Sequence, residues 1–437
     1  MTARTDDPAP PDFRDTGEDP AQRRVLTVLV VAQVLSGAGL AAGIIVGALL
    51  AEEMLGSTGL AGVPSALFTA GAAVGAVGVG RLCQRWGRRP GLAVGYGGAA
   101  LGSLGVVVAA VVGSVMLLFT SLAVYGAGTA TNLLARYAGA DLAAPARRGR
   151  ALSTVLFATT LGAVIGPNLV DVTGDVAHAW GIPRLAGPFL LAVVAYTAAA
   201  LVLGLFLRPD PLLRARERAA AEPEPDGGQA GGSVGRVRVR GVATGTAVIV
   251  LVQLVMIAIM TMTPVHMRAH GHATSAAGLV IALHVGAMYV PSPLTGLLVD
   301  RFGGVRVAIA SGPVLLAAGL VAAFASPHSV AALAVALVLL GVGWNLGFVS
   351  GTALVTEALP PANRASLQGL VDVGASVAGA TGGLVSGPLV AAGGYTFLGV
   401  AGGVLALAVV PVAALAARRP KTAATPAARP SRPRERT

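Results

Sequence analysis

The chain has 437 residues, of which 54% are apolar and only 12% are charged, and its mean hydropathy is +0.75. This composition excludes a soluble globular protein, because a soluble chain of this size needs far more polar surface, and it indicates that lipid solvates much of the molecule. The formal net charge is +11, but the arginines lie beside apolar segments, which argues against a nucleic-acid partner and for membrane orientation.

Apolar stretches long enough to cross a bilayer recur along the whole chain. The segment up to Asp19 is rich in Pro and Asp, and the apolar run after Arg24 is too long for a signal peptide, so we interpret that run as a retained span. Turns predicted at Gly113-Ser114 and Gly393-Gly394 divide two longer apolar segments. The sequence predicts twelve spans, near residues 25–51, 58–80, 90–111, 115–138, 151–172, 184–207, 241–264, 275–299, 305–325, 329–353, 365–391 and 394–416.

The distribution of arginine predicts the orientation of these spans. If both termini are cytoplasmic, only Arg184 and Arg268 among the Lys and Arg residues lie outside, which is a strong positive-inside bias. We therefore expect a multi-pass protein of the plasma (inner) membrane. The predicted organisation is a disordered N-tail (1–22), a six-helix half (23–207), a disordered or partly helical cytoplasmic linker (208–240), a second six-helix half (241–417) and a disordered basic C-tail (418–437).

The two halves repeat the same loop about half a chain length apart. Residues 80–90 read GRLCQRWGRRP and residues 296–306 read GLLVDRFGGVR. Further along, Asp141 in the first half corresponds to Glu357 in the second. The repeat indicates duplication, and in an apolar chain it favours a transporter that works between two pseudo-symmetric halves.

These loops resemble the loop signature of the major facilitator superfamily, approximately G-x-L-A-D-R-x-G-R-[KR], between spans 2 and 3 and between spans 8 and 9. The resemblance extends from Arg23 to Arg419. It implies an all-α integral membrane fold with twelve transmembrane helices in two pseudo-symmetric six-helix bundles. The first copy departs from the signature, because Gln84 stands where the second copy has the acid, Asp300.

We interpret the signature residues as a cytoplasmic gate. Asp300 is expected to lie against the positive N-terminus of span 5. Arg85 and Arg301 are expected to pair with the carboxylates that end spans 4 and 10, and Gln84 is expected to weaken the first copy. Alternatively, these are ordinary interfacial charges. The predicted gate residues are Gly80, Arg85, Gly87, Arg88, Asp141, Gly296, Asp300, Arg301, Gly303 and Glu357.

A second motif, G-x-x-x-G-P in span 5, resembles the signature of exporters in the 12-span drug:proton antiporter group. It consists of Gly162, Gly166 and Pro167, and it recurs at residues 383–388 in span 11. Small residues permit close helix contact and proline bends the helix. In that group the motif is thought to seal the contact between spans 5 and 11. The arginine that the group carries in span 4 is absent here, because Leu122 occupies that position.

In the fold that the resemblance implies, spans 1, 4, 7 and 10 line a central cavity. In this sequence each of these spans carries one amide side chain at a similar depth near the bilayer midplane. A buried amide without partners is costly, so the set indicates a substrate cavity, although hydrogen bonds between helices would also satisfy the amides. Two methionines and a tryptophan would line the cavity or pack in the core. The predicted cavity residues are Gln33, Asn132, Gln253, Met256, Met260, Trp344 and Asn345.

Asp372 lies about 12 Å inside span 11, in a stretch otherwise free of charge. A carboxyl group there can bind and release a proton as water access alternates, or it can form a fixed ion pair with Arg136 of span 4. Arg136, in turn, can extend toward the cytoplasmic surface. His284 in span 8 is a second candidate for a proton relay.

The sequence lacks the motifs of a catalytic site, so we expect no enzyme activity, no metal and no cofactor other than a proton gradient. We expect a monomeric secondary transporter in the lipid bilayer that exports a small lipophilic compound in exchange for protons. Two alternatives remain. One is a symporter or facilitator for a nutrient or metabolite, and the other is a membrane sensor that does not transport.

Overall fold

The structure is a computed structural model that describes residues 19–55, 63–221 and 231–417. Within these ranges the chain is helical and contains no strand. The helices are α1 (Pro20–Leu55), α2 (Val63–Trp86), α3 (Arg88–Val112), α4 (Val115–Thr129), α5 (Thr131–Ala140), α6 (Arg148–Asn168), α7 (Val170–Ala179), α8 (Gly187–Phe206), α9 (Pro211–Ala221), α10 (Gly231–Ala269), α11 (Thr274–Tyr289), α12 (Ser292–Phe302), α13 (Gly304–Phe324), α14 (Val330–Ala358), α15 (Arg364–Ala406) and α16 (Val409–Ala417).

Nine helical segments of the described ranges are long and apolar enough to cross a membrane. One of them, Arg364–Leu415, has 52 residues and holds two crossings, because Gly394 has a φ of 76° that interrupts the helical path. Helices α1 and α6 cover predicted spans 1 and 5, so the described helices account for the twelve predicted crossings. The predicted turn at Gly394 is confirmed. The hairpin at Gly113-Ser114 is also confirmed, since Gly113 has a φ of 68° and Ser114 caps α4.

Several crossings are built from two helices rather than one. Span 4 consists of α4 and α5, span 5 includes α6 and α7, and span 8 consists of α11 and α12. Pro291 and Pro293 stand at the break in span 8, where they remove two backbone N–H donors. Pro167 stands near the corresponding break in span 5. The breaks in spans 5 and 8 therefore fall beside prolines, whereas the break in span 4, at Ala130, has no proline.

Each half is held together by close contacts between small residues. Helices α1–α8 pack on one another, as do α10–α16. A Cβ atom added at Gly71 or Gly75 of α2 would lie 2.0 Å from the backbone oxygen of Ala123 or Ala127 on α4. These helices thus touch through their backbones, which is the packing predicted from the 60 glycines of the chain.

The first part of the predicted linker forms α9, which lies against the bundle and buries Leu212. Its Arg216 donates from Nη2 to the carbonyl oxygen of Gln84 at 2.7 Å and from Nε to that of Pro361 at 3.2 Å. Gln84 belongs to the first half and Pro361 to the second, so α9 joins both. The predicted tails and the middle of the linker lie largely outside the described residues, at 1–18, 222–230 and 418–437.

Candidate functional site

Among the described residues, the hydrogen bonds and ion pairs that join the two halves lie toward one end of the bundle, which we call the arginine-rich end. It carries Arg85, Arg88, Arg148, Arg301 and Arg364. Two interfaces close this end, one between α2 and α15 and the other between α6 and α12. We refer to them as the α2–α15 interface and the α6–α12 interface.

A buried carboxylate with two arginines holds the α2–α15 interface. Asp141 Oδ2 lies 2.8 Å from Arg88 Nε, and Asp141 Oδ1 lies 3.3 Å from Arg364 Nη1 of the other half. Arg88 Nη2 also donates to Gln368 Oε1 at 2.5 Å. The predicted pairing of Arg85 with Asp141 is therefore wrong. Arg85 is exposed with its guanidinium 5.7 Å from the ring centre of Trp86, because it lies on the outer side of α2.

Gln84 caps the N-terminus of α15 at the same interface. Its Oε1 accepts hydrogen bonds from the amides of Ala365 at 2.8 Å and Ser366 at 3.4 Å, and its Nε2 donates to the carbonyl of Ala362. The neutral amide thus satisfies orphan donors of the helix without a charge. A Cβ atom on the nearby Gly80 would lie 3.0 Å from the oxygen of Ala365.

Asp300 caps the N-terminus of α6 at the α6–α12 interface. Its Oδ1 accepts from the amide of Gly149 at 2.7 Å, and its Oδ2 accepts from the amide and Nε of Arg150 at 3.1 and 3.2 Å. This is the position that the loop signature predicts for the acid. Asp300 and Gln84 therefore cap equivalent helices of opposite halves.

The backbones at this interface approach closely. A Cβ atom on Gly296 would lie 2.1 Å from Ser153 Oγ and 2.6 Å from the oxygen of Gly149. The loops that follow α2 and α12 turn at Gly87 and Gly303, whose φ angles of 99° and 85° favour glycine. The repeated glycines of the signature thus serve either helix contact or the turn.

The predicted pairing of Arg301 with Glu357 is also wrong. The Arg301 guanidinium lies 5.5 Å from the ring centre of Phe302. Glu357 is exposed, and within the described ranges it makes no hydrogen bond or ion pair. The corresponding carboxylate of the first half, Asp141, is buried between two arginines. The second half has Gly304 where the first has Arg88, so the duplicated carboxylates have different surroundings.

Arg136 and Asp372 form a second buried pair between the halves, further from the arginine-rich end. Arg136 Nη2 lies 2.7 Å from Asp372 Oδ1, and the two side chains are 1% and 2% exposed. Tyr137 accepts from Arg136 Nη2 at 2.9 Å and donates to Asp372 at 3.4 Å, and Thr352 accepts from Arg136 Nε at 3.3 Å. The guanidinium also lies 4.6 Å from the ring centre of Phe348. Of the two predicted roles for Asp372, the ion pair is the one present in this conformation.

Three of the four predicted cavity amides are instead buried in hydrogen-bond networks. Gln33 donates to the carbonyl oxygen of Asn132 at 3.1 Å and to Thr159 Oγ1 at 2.9 Å. Asn132 Oδ1 accepts from Ser36 at 2.6 Å and from Tyr96 at 3.2 Å. These contacts lie within the first half, so they hold its helices together.

The third buried amide lies in the second half. Asn345 Oδ1 accepts from Thr295 Oγ1 at 2.5 Å, and its Nδ2 donates to Ser292 and to the carbonyl of Met288 at 2.7 Å. The prediction that Gln33, Asn132 and Asn345 line a cavity is therefore wrong for this conformation. Bonds between helices satisfy these amides, because hydroxyl groups face them from neighbouring helices.

Gln253 is the predicted amide that remains partly exposed, and its Oε1 accepts from Trp344 Nε1 at 2.8 Å. Trp344 stacks on Phe348 with ring centres 4.4 Å apart. Met256 is 2% exposed and packs in the core, whereas Met260 is half-buried. Gln253 and Met260 are thus the predicted lining residues with surface left to contact a ligand.

His284 is buried in the second half, where its Nδ1 lies 2.7 Å from the carbonyl oxygen of Leu337. Within the described residues its Nε2 has no hydrogen-bond partner. Among the described residues, no hydrogen bond or ion pair joins His284 to Arg136 or Asp372. No group of three or more His, Cys, Asp or Glu side chains in the described part of the chain could hold a metal ion.

The span 5 motif contacts span 1. A Cβ atom on Gly162 would lie 2.2 Å from the oxygen of Val34 on α1. The predicted contact between spans 5 and 11 is therefore wrong for Gly162, because this glycine faces its own half. Gly166 and Pro167 lie in α6, and what they contact is outside the part of the chain that the structure describes. In α15, a Cβ atom on Gly383 would lie 3.7 Å from Ile257 Cγ2, so this glycine also faces its own half.

Gln368, and the partners Tyr137 and Thr352 of Arg136, were not predicted from the sequence. A polar stripe on α15 could have revealed Gln368, since Arg364, Gln368 and Asp372 are spaced by four residues and share one helix face. Tyr137 directly follows Arg136, and no sequence pattern distinguishes it from a core tyrosine. Thr352 belongs to the other half, and only the fold brings it to Arg136.

The chain matches the family model described as Major Facilitator Superfamily over residues 29–288 and 245–436. It is 52% identical over 392 residues to the uncharacterized MFS-type transporter YddS of Bacillus subtilis (strain 168), covering 89% of this chain and 90% of the relative. It is 31% identical over 360 residues to the riboflavin transporter RfnT of Brucella anthropi, covering 80% and 85%.

Among solved structures, the human organic anion transporter MFSD10 has the same fold, with a TM-score of 0.72, 16% identity and coverage of 90% of this chain and 100% of that chain. The fold, the two loop signatures and the family match agree. This chain belongs to the Major Facilitator Superfamily. It is accordingly a multi-pass membrane transporter and not an enzyme.

Proposed function

We propose that this transporter is a proton-coupled exporter of a small lipophilic compound that works by alternating access. The arginine-rich end faces the cytoplasm in this proposal, which agrees with the positive-inside bias of the sequence. Because the contacts between the halves lie toward that end, the conformation is one in which the cytoplasmic side is shut. A substrate released outward would leave from the opposite side.

The observation that carries the proposal is the buried pair of Arg136 and Asp372. It joins α5 of one half to α15 of the other at 2.7 Å. Removing the charge of one partner leaves the other charge buried and unpaired, which costs about 3–5 kcal/mol. Protonation of Asp372 would therefore weaken the shut state and favour separation of the halves. One carboxyl group would thus link proton binding to the direction of access.

The predicted lining residues that keep exposed surface support an apolar substrate. Gln253 and Met260 keep exposed surface, whereas the charges of Arg136 and Asp372 neutralise each other. A site with one partly exposed amide and apolar side chains suits a lipophilic compound better than a sugar or an amino acid, which need several polar partners.

The proposal can be tested with purified protein in liposomes that carry an inside-acid pH gradient and a lipophilic cationic dye. We expect gradient-driven dye accumulation with the wild type and none with Asp372→Asn. Asp175→Asn is the matched control, because Asp175 is 66% exposed in a surface pair. Accumulation that persists in Asp372→Asn, or that ignores the gradient, would contradict proton coupling at this residue.

A second candidate is uptake of a nutrient, and the 31% identity to a riboflavin transporter favours it. It can be tested in cells that neither make nor import riboflavin. Growth on low external riboflavin that requires this chain would support uptake and contradict export. No growth, together with gradient-driven dye accumulation in liposomes, would support export.

A further inference from the structure

A pocket of about 440 Å³ lies beside α9 at the arginine-rich end, separate from the contacts between the halves. Its walls combine a tryptophan, an arginine and apolar side chains from the ends of α2 and α8 and the starts of α3 and α9. The lining residues are Trp86, Arg89, Pro90, Gly204, Asp210 and Leu213. From the arginine in its wall and its position beside exposed apolar side chains, we infer that this pocket binds the headgroup of an anionic phospholipid.

Arg89 supplies the positive charge. Its Nε donates to the carbonyl oxygen of Gly204 at 2.6 Å, which fixes the side chain in the pocket wall. No carboxylate within the described ranges forms an ion pair with its guanidinium. The remaining guanidinium nitrogens can therefore donate to a phosphate group, for which arginine has the favoured geometry.

Asp210 is the acid in the pocket, and its carboxylate is already occupied. Oδ2 accepts from the amide of Arg89 at 2.7 Å, and Oδ1 accepts from the amides of Leu212 and Leu213 at 3.0 and 3.2 Å. Asp210 therefore positions the starts of α3 and α9. It shapes the pocket and leaves the Arg89 guanidinium available.

The pocket opens beside a lipid-facing surface. Trp86 is 51% exposed, and the exposed guanidinium of Arg85 lies 5.7 Å from its ring centre. Exposed apolar side chains on α3 and α8 continue from the pocket along the bundle, including Val94, Leu205 and Phe206. Tryptophan is favoured at the membrane interface, and arginines there attract anionic lipids. A phospholipid matches both the pocket and the apolar surface, because its phosphate can bind Arg89 while its acyl chains lie along the exposed side chains of α3 and α8.

The second half offers a matched comparison. The repeated loop places Val305 at the position equivalent to Arg89, and no helix equivalent to α9 follows the last crossing among the described residues. The nearby Arg306 of α13 is exposed and donates to the carbonyl oxygen of Phe302, the last residue of α12. Arg306 therefore carries the same charge as Arg89 near the same end of the bundle, but it does not line the pocket.

Native mass spectrometry of the delipidated full-length protein tests this inference. When phosphatidylglycerol and phosphatidylcholine are added, the wild type should retain one molecule of phosphatidylglycerol in preference to phosphatidylcholine. Arg89→Gln should weaken that retention roughly fivefold, as expected for one interfacial arginine, and Arg306→Gln should not. Equal retention of both lipids, or equal retention by Arg89→Gln and the wild type, would overturn the inference. Displacement of the lipid by inorganic phosphate at equal concentration would indicate a free-phosphate site instead and would also overturn it.

A fluorescence measurement keeps the test independent of the fold of Arg89→Gln. Phosphatidylglycerol with brominated chains should quench the emission of Trp86, measured as the difference between the wild type and Trp86→Phe. Arg89→Lys, which keeps the charge, should preserve most of this quenching. Quenching by brominated phosphatidylcholine to the same extent would contradict a headgroup site.

Discussion

The two interfaces at the arginine-rich end arose from the same repeated loop, yet they join the halves by different means. At the α2–α15 interface, Asp141 is buried between Arg88 and Arg364. At the α6–α12 interface, Asp300 caps a helix and Gly296 touches the opposite backbone, while Glu357 makes no ion pair in the described ranges. Both interfaces pack backbone against backbone, since a Cβ atom on Gly369 of α15 would lie 2.4 Å from the oxygen of Ala76 on α2. Only the first adds a buried carboxylate between two arginines, so the two should respond differently to the loss of a charge.

The distance between the halves can be followed with spin labels at Arg24→Cys and Arg306→Cys in a Cys83→Ser background. Arg24 and Arg306 are exposed at the arginine-rich end of opposite halves. Cys83 is the single cysteine of the chain. This pair of labels reports how far the arginine-rich end is open in each variant below.

The largest effect is expected for Asp141→Asn, because it leaves two buried arginines without their carboxylate. Breaking a buried ion pair costs about 3–5 kcal/mol, so the label distance should increase and the thermal unfolding temperature should fall. Glu357→Gln is the matched control at the equivalent position, and it should change stability by no more than about 0.5 kcal/mol. Equal effects of the two variants would contradict the difference between the interfaces.

A smaller effect is expected for Gly296→Ala. The new Cβ would lie 2.1 Å from Ser153 Oγ, and overpacking of this kind typically costs about 1–3 kcal/mol. The labels should therefore report an arginine-rich end that is more often open. Gly80→Ala, where the closest contact would be 3.0 Å, should have the weaker effect. The reverse order would show that the α2–α15 interface is the more tightly packed one.

Asp300→Asn should have a still smaller effect, since it keeps an acceptor but removes the charge at the N-terminus of α6. Such a charge contributes about 0.3–1 kcal/mol and is screened by salt. Opening of the wild type should thus increase with ionic strength, and this salt dependence should be reduced in Asp300→Asn. Gln84→Ala serves as the control, because Gln84 carries no charge and its loss should leave the salt dependence intact.

The smallest effects are expected for Arg85→Gln and Arg301→Gln. Each guanidinium lies over a neighbouring aromatic ring rather than against a carboxylate. Because each ring belongs to the next residue of the same half, neither contact joins the halves, and label distances should remain close to those of the wild type. A clear opening in either variant would indicate that these arginines do pair across the gate.

The fold could be predicted largely from the sequence, because span length, loop charge and the repeat are all local signals. The turns at Gly113 and Gly394 could be predicted for the same reason. The side chain that pairs with Asp141 at the gate could not be predicted, because Arg85 and Arg88 are both compatible with the signature. Only the helix orientation decides which of them faces Asp141.

The site was harder to predict than the fold, because an amide at the bilayer midplane has the same sequence signal in a cavity and between helices. Gln33 and Asn345 find hydroxyl partners on neighbouring helices, and those hydroxyls are far away in sequence. Asp372 was identifiable by its depth alone. Its ion pair with Arg136 was one of the two roles that spacing left open.

The central claim is that the charge of Asp372 keeps the arginine-rich end shut, and label distances in acidic and mildly alkaline buffer test it most directly. In the wild type the distance should be short in alkaline buffer and should lengthen in acid, because protonation leaves Arg136 unpaired. Asp372→Asn should show the long distance in both buffers. A distance in Asp372→Asn that stays short in alkaline buffer, or that still lengthens in acid as in the wild type, would contradict the claim.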